Sequence, residues 1–424
     1  MPTTETAPCL ALDLTSIRSQ FPALGQTVNG HPAAFLDGPG GTQVPQRVID
    51  AISNYLGRDN ANTGGAYATS RRTDAMIAEA RAAMADFLHC AADEVAFGPN
   101  MTTLTYAMSR AIGRDLKPGN EIVVTRLDHD ANVSPWLQMA EDRGITVRWA
   151  EIHDDDCTLD MADLAAKINS KTKLVAAGYA SNAVGTINPV KEIVALAHAA
   201  GALAYIDAVH YGPHGLIDVQ ALDCDFLACS TYKFFGPHMG VLFGNREHLK
   251  RFRPYKVRPN TNAIPNCWEW GTLNHECIAG IAACVEYIAD LGRHARSEAS
   301  SRRAAIEAAY AAIHEHERAL LERMMTGLNK IPSLKIYGIT DPARLHERCA
   351  TLAIRIPGHT PLELSTQLGD RGFFTWDGNY YALNLTEHLD VEKSGGFLRV
   401  GLVHYNTAEE VDRLLAAMRE IVGV

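Results

Sequence analysis

Between residues 121 and 244, six short apolar runs alternate with amphipathic stretches, and this alternation restricts the fold more than any other feature of the chain. The runs at 121–125, 146–152, 173–179, 202–207, 226–230 and 240–244 read as strands. Patterns at 75–88, 159–169 and 190–200 read as helices. Strands that are apolar throughout and separated by helices predict a mostly parallel sheet covered on both faces. On such sheets ligands bind at the carboxyl ends of the strands. Two ionisable residues fall there: Asp207 ends one run, and Lys233 closes the stretch that begins at Phe226.

A lysine at a buried strand end is poorly solvated, so its pKa falls and its amine becomes nucleophilic toward an aldehyde. An aspartate at the next strand end can hold a protonated pyridine nitrogen. Together they describe a site for pyridoxal 5'-phosphate (PLP), whose ring takes up electrons while the protein aims it. A structural Lys–Asp ion pair at the sheet edge is the competing reading of these two residues.

With a net charge of −10, nucleic acid and anionic membranes are poor partners. No run of 18 apolar residues predicts a membrane span, and the first residues lack the pattern of a secretory signal. The nine cysteines are scattered with no CxxC pair, as expected of reduced thiols in a cytoplasmic enzyme. Histidine spacing gives no metal motif. Residues 1–30 read as an N-terminal arm packing on the small domain, with a short helix near residue 14. Residues 31–295 read as a large cofactor domain. A long Ala- and Glu-rich helical pattern from 300 to 328 leads into a small α+β domain spanning 296–424, with strands at 333–338, 350–356, 373–376 and 397–403 and helices at 361–371 and 407–421.

Several motifs occur in order along the chain: Phe35-Leu-Asp-Gly, Asn100-Met-Thr-Thr103, Leu127-Asp-His129-Asp-Ala-Asn, Ser181-Asn182-Ala-Val-Gly, Trp270-Gly-Thr272, Phe397-Leu-Arg-Val-Gly401 and Val403-His-Tyr-Asn-Thr407. With these the chain resembles the class V, fold-type I PLP enzymes of the cysteine desulfurase and selenocysteine lyase-like group. The likeness is strongest to a desulfurase-like branch that shares Thr63-Gly-Gly-Ala-Tyr-Ala-Thr-Ser-Arg-Arg72 and Trp376-Asp-Gly-Asn-Tyr-Tyr381. The resemblance implies an α/β fold, with a large, mostly parallel seven-stranded-type sheet and a small α+β C-terminal domain.

It also implies roles for single residues. Thr102 and Thr103, at the start of a helix, would hold the cofactor phosphate, with Ser230 and Tyr232. Tyr232 stands where the family commonly has His. His129 would stack on the pyridine face. Asn182 would donate to the phenolic oxygen or to a substrate carboxylate. His210, often Gln in desulfurases, would reach the phenolic oxygen. Thr272 would reach the phosphate of a neighbouring subunit, which implies a homodimer with shared active sites. Arg399 would grip the substrate carboxylate with its planar fork. Tyr67, Arg71 and Arg72 are expected in a Gly-rich loop lining the substrate cleft, and Trp376, Tyr380 and Tyr381 as an aromatic wall. Small-domain core is the other reading of Trp376.

One departure bears on the reaction. Desulfurases place a thiol in a loop resembling Gly-His-His-Cys-Ala, and here the stretch reads Gly378-Asn-Tyr-Tyr-Ala382. Tyr381 stands at the cysteine's position. A phenol cannot accept sulfur, but it can act as a general acid. The group that the chain resembles includes C–S lyases that lack the loop cysteine, and this resemblance implies C–S β-elimination from a cysteine S-conjugate or related amino acid, giving thiol, pyruvate and ammonia. Transamination, racemisation or epimerisation, and decarboxylating deamination stay open, as does a non-catalytic binding protein. Desulfuration through a distant cysteine ranks behind.

Overall fold

The computed structural model describes residues 11–424. Cys9 and the rest of the first ten residues lie outside the described residues.

Seven strands form the main sheet, in the spatial order Val95–Gly98, Gly240–Gly244, Phe226–Ser230, Leu203–Asp207, Thr172–Gly178, Glu121–Thr125 and Thr146–Ala150. The last five run parallel to one another. Gly240–Gly244 runs antiparallel to both of its neighbours. All six sequence-predicted strands are present. Val95–Gly98, a short edge strand, was not among them.

Side chains alternate between the two faces of the sheet, as strand geometry requires. Val123, Val175, Ile206, Leu227 and Val241 enter a core under helices Ala68–Leu88, His275–Ala295 and Arg302–Leu328. Ile122, Leu174, Tyr205, Phe226 and Leu242 enter a second core under helix Met101–Gly113 and Trp136. Both faces are thus dry, which is why these strands read as unbroken apolar runs rather than as alternating ones.

A four-stranded antiparallel sheet lies beyond helix Arg302–Leu328, in the order Lys335–Tyr337, Thr351–Arg355, Phe397–Gly401 and Trp376–Gly378. Its core joins Leu352, Val400 and Leu398 to Leu364, Leu414 and Met418. The predicted strand at 373–376 is two elements. Phe373–Phe374 leaves this sheet and pairs in parallel with Ala34–Phe35. The N-terminal arm meets the small domain through Arg18, paired with Glu410 at 2.9 Å, and Asn29, which donates to the Asp370 carbonyl at 3.0 Å, and residues 34–36 continue the contact, with Ala34 and Leu36 inside the small sheet's core. Among the described residues no helix is long and apolar enough to cross a membrane.

One glycine decides how the large unit meets its ligand side. A Cβ on Gly240 would lie 2.3 Å from the carbonyl carbon of Asn100, so only glycine lets the start of helix Met101–Gly113 approach the sheet this closely. Gly240→Ala is expected to cost about 1–3 kcal/mol by overpacking and to push the helix start outward. A lowered Tm, together with faster loss of bound cofactor on dialysis, checks this.

Candidate functional site

Four consecutive parallel strands deliver their carboxyl ends to one place. After Thr125 comes the turn carrying Asp128 and His129, and after Gly178 comes Ser181-Asn182. Asp207 ends the third strand, with His210 three residues on, and Ser230 ends the fourth, with Tyr232 and Lys233 in the short 3-10 turn that follows. These side chains line a cleft with a small inner compartment, about 60 Å³, and an outer one of about 1620 Å³ that opens toward the small sheet.

Lys233 is not ion-paired with Asp207. Its amine donates to the carbonyls of Pro39 and Gly40, at 2.5 and 3.1 Å. Burial, then the positive charge of Arg399, lower its pKa to about 7, against weaker opposing pulls from Asp207 and Asp37. Asp207 is buried and accepts from the Val209 N–H at 2.8 Å. Burial raises its carboxyl to about 7, so a fixed positive charge beside it is what would keep it ionised.

His129 presents a neutral ring. Its Nδ1 accepts from the Ala131 N–H at 3.0 Å, which puts its proton on Nε2, and burial pushes its pKa down to about 3. The Tyr381 ring stacks on it at 5.5 Å and 21°. Beneath it, Asp128 accepts from Thr125, Asn132 and the Gly178 N–H, at 2.6, 2.7 and 2.9 Å. Sequence reasoning missed Asp128, although its place beside His129 in the same motif was a signal.

Arg399 lies in the middle of strand Phe397–Gly401 with 3% of its surface exposed, and it lines the outer compartment. Its Nη1 donates to the Asn182 carbonyl at 3.0 Å, and its guanidinium lies 4.1 Å from the Tyr380 ring centre. Its Nε has no protein partner. Burial brings its pKa down to about 10, so it remains a cation at neutral pH. Asn182 turns its amide nitrogen to the Tyr380 carbonyl at 2.9 Å and leaves Oδ1 unpartnered. Both ring nitrogens of His210 are buried and unpartnered.

The helix start at 101–103 also faces the cleft, which Thr102 and Thr103 line. The hydroxyl of Thr103 is engaged by the capping residue, donating to Asn100 Oδ1 at 3.0 Å, whereas Thr102 is exposed. Asn100, the cap itself, was not predicted. Ser230 accepts from the Met101 N–H at 3.3 Å. Tyr232 stacks on His238 at 4.8 Å, with the Lys233 amine 4.8 Å from the centre of its ring.

Three expected cleft residues do not line the cleft of their own chain. Tyr67 and Arg72 are exposed at the start of helix Ala68–Leu88 and do not line the cleft. Arg72 is paired with Asp59 at 2.5 Å, the ordinary fate of a surface arginine. Arg71 is likewise exposed and donates to the Ala66 carbonyl. Thr272 is exposed ahead of helix His275–Ala295, away from the cleft of its own chain. Trp376, by contrast, is not core: 51% exposed, it lines the outer compartment with Tyr380 and Tyr381.

A family model described as "Aminotransferase class-V" matches residues 34–414. The chain belongs to that family. A cysteine desulfurase of Dickeya dadantii is 32% identical over 421 residues, covering 96% of both chains. One of Serratia proteamaculans is 32% identical over 428 residues, covering 97% of this chain and 99% of that one. Among solved structures, the apo cysteine desulfurase of Thermococcus onnurineus NA1 superposes with a TM-score of 0.86 at 26% identity, covering 98% of this chain and all of the other. A cysteine desulfurase of Escherichia coli gives 0.83 at 24%, which speaks for the fold.

Class V enzymes of this kind use PLP, and the cleft fits it. An enclosed lysine amine, a buried carboxyl and a helix start surround unpartnered polar atoms of His210 and Asn182, which a bound polar group would satisfy. Because burial disfavours the ammonium, the Lys233 amine is neutral above about pH 7 and charged below it. The rate at which apoprotein takes up PLP, followed by absorbance, is therefore expected to rise through about pH 7 and level off about a unit above. A rise only near the ordinary lysine range would contradict this.

Proposed function

We propose that this class V enzyme breaks the Cβ–S bond of a cysteine-derived α-amino acid by β-elimination. One observation carries the reading: among the described residues no cysteine lines either compartment, and the exposed residue of the mouth loop that stands over His129 is Tyr381.

Lys233 would anchor the cofactor through its aldehyde carbon. Asp207 would face the pyridine nitrogen, and His129 the ring. His210 and Asn182 would meet the phenolic oxygen. Thr102, the free N–H groups of the helix start and Ser230, with Tyr232, would take the phosphate. PLP supplies an electron sink for a carbanion at Cα. Everything else falls to the chain. Arg399 pairs the substrate carboxylate and fixes the orientation of Cα. Once the substrate's amino group has taken its place, the Lys233 amine, neutral because it is buried, would take the Cα proton. The electron pair left behind forms the Cα–Cβ double bond as the Cβ–S bond breaks, and sulfur departs with its bonding pair. Tyr381, whose hydroxyl has no protein partner among the described residues, stands at the mouth and can give that sulfur a proton. Water then releases pyruvate and ammonia. Trp376 and Tyr380 offer an apolar wall to the sulfur substituent. Exposed Thr272 would complete the cleft of a second copy, in a homodimer.

The curated relatives are named cysteine desulfurase, which favours desulfuration as the second reading. That reaction leaves a persulfide on a protein thiol. The cysteines of the described chain are buried or half-buried and lie off the cleft lining. The two readings separate in one assay, in which the holoenzyme is given S-substituted L-cysteine and, separately, L-cysteine. Equal yields of thiol and pyruvate, with no protein persulfide, are expected. Persulfide on the protein would establish desulfuration. Turnover without pyruvate would end the elimination reading in favour of transamination, epimerisation or decarboxylating deamination on the same residues. Lys233→Ala should lower kcat by at least roughly 10²–10⁴-fold. Arg399→Ala should lower kcat/KM on the order of 10²-fold by removing a charged partner of the carboxylate.

A further inference from the structure

Behind the cofactor cleft, three side chains that ligate soft metals converge from distant parts of the sequence. His210 and His214 sit on the turn that follows strand Leu203–Asp207. Cys349 precedes strand Thr351–Arg355 of the small sheet. One donor atom from each lies within 4.8 Å of the other two. Each residue is only 4% exposed. The two imidazoles meet edge-on, with centroids 5.0 Å apart at 67°.

The donors are also unspent. Both nitrogens of His210 and the Nε2 of His214 are buried without a partner, an arrangement that native interiors rarely leave without an ion or a water. The Nδ1 of His214 is held by the Glu317 carboxylate at 2.7 Å. That contact places the proton on Nδ1 and leaves the Nε2 lone pair free, the arrangement by which a carboxylate orients a metal-binding histidine. A separate cavity of about 680 Å³ is lined by His214, Glu317 and Cys349 and gives an approach to the cluster.

We propose that His210, His214 and Cys349 form a zinc site, with Glu317 as the positioning residue. Two nitrogens and one sulfur suit zinc, and three protein ligands leave a fourth position for water. Zinc bonds of about 2.0–2.3 Å hold donors roughly 3.5 Å apart, so side-chain rotations of about 1 Å would close the set. The thiolate and Glu317 together balance the dication. Nearby, the cationic Arg348 is occupied by the carbonyls of Ile339, Val184 and Thr351. Because a histidine has two ring nitrogens, His210 can ligate through one and keep the other for the cofactor cleft that it also lines. The ion would join the turn after strand Leu203–Asp207 of the large sheet to the start of an inner strand of the small sheet, next to the cofactor cleft.

Holoenzyme stripped with a chelator and dialysed against buffered Zn(II) tests this by elemental analysis. Wild type is expected to hold one tightly bound zinc per chain, and Cys349→Ser to weaken that equivalent at least tenfold while retaining the visible band of the bound cofactor. Cobalt in place of zinc should add a thiolate charge-transfer band in the difference spectrum, absent from Cys349→Ser. Equal zinc affinity in the two proteins, or no zinc beyond weak surface binding, would overturn the site and leave a water as what fills it. Should Cys349→Ser fail to fold, X-ray absorption on zinc-loaded wild type decides: one sulfur and two nitrogens sustain the site, and an all-nitrogen and oxygen shell refutes it.

Discussion

The site depends on keeping one amine out of water. Lys233 reaches its position because strand Phe226–Ser230 is dry on both faces and ends in a tight turn rather than in solvent. Burial brings its pKa to about 7, so it can serve as nucleophile and base at physiological pH without a dedicated partner. The same burial raises Asp207 and lowers His129. Three titrating groups thus depart from their ordinary values for one reason, a floor of strand ends with apolar layers above and below.

This also accounts for what the sequence could convey. The inner parallel strands were legible because both of their faces are buried, which leaves largely apolar runs; the outermost, Thr146–Ala150, is part-exposed. The edge strand Val95–Gly98 is short and was passed over, and so was Trp376–Gly378, whose residues are exposed or half-buried. The split of 373–376 was beyond reach as well: Phe373–Phe374 takes its partner from residues 34–35, a pairing with no local signature.

Among the site residues, those attached to strand ends and motifs converge as expected: His129, Asn182, Asp207, His210, Ser230, Tyr232, Lys233 and Arg399. Loops carried less information. The arginines at 71 and 72 were expected at the cleft because of a Gly-rich run, yet they face outward, and nothing in such a run fixes where a long side chain turns. Asn100 and Asp128 were missed because their roles are to hold other residues: one caps the helix that faces the cleft, and the other sits beneath His129. The meeting of Cys349 with His214 could not be read at all, since it exists only once the small sheet has docked.

Residues 34–42 join two observations that were made separately. At one end the segment is stitched to the small sheet's side, with Ala34 N–H donating to the Gly372 carbonyl at 2.8 Å, Leu36 N–H to that of Phe374 at 3.0 Å, and Gly401 N–H to that of Leu36 at 2.7 Å. At the other end Thr42 N–H donates to the Tyr232 carbonyl at 3.0 Å, and the Thr42 hydroxyl accepts from the Phe235 N–H at 2.7 Å, which fastens the segment on both sides of the lysine. Between these anchors lie Pro39 and Gly40, whose carbonyls hold the amine. The stretch acts as a tie: only a few peptide units separate the backbone bonds that hold it to the small sheet from the two carbonyls that hold the Lys233 amine, so the seat of the amine is built from both sides of the molecule.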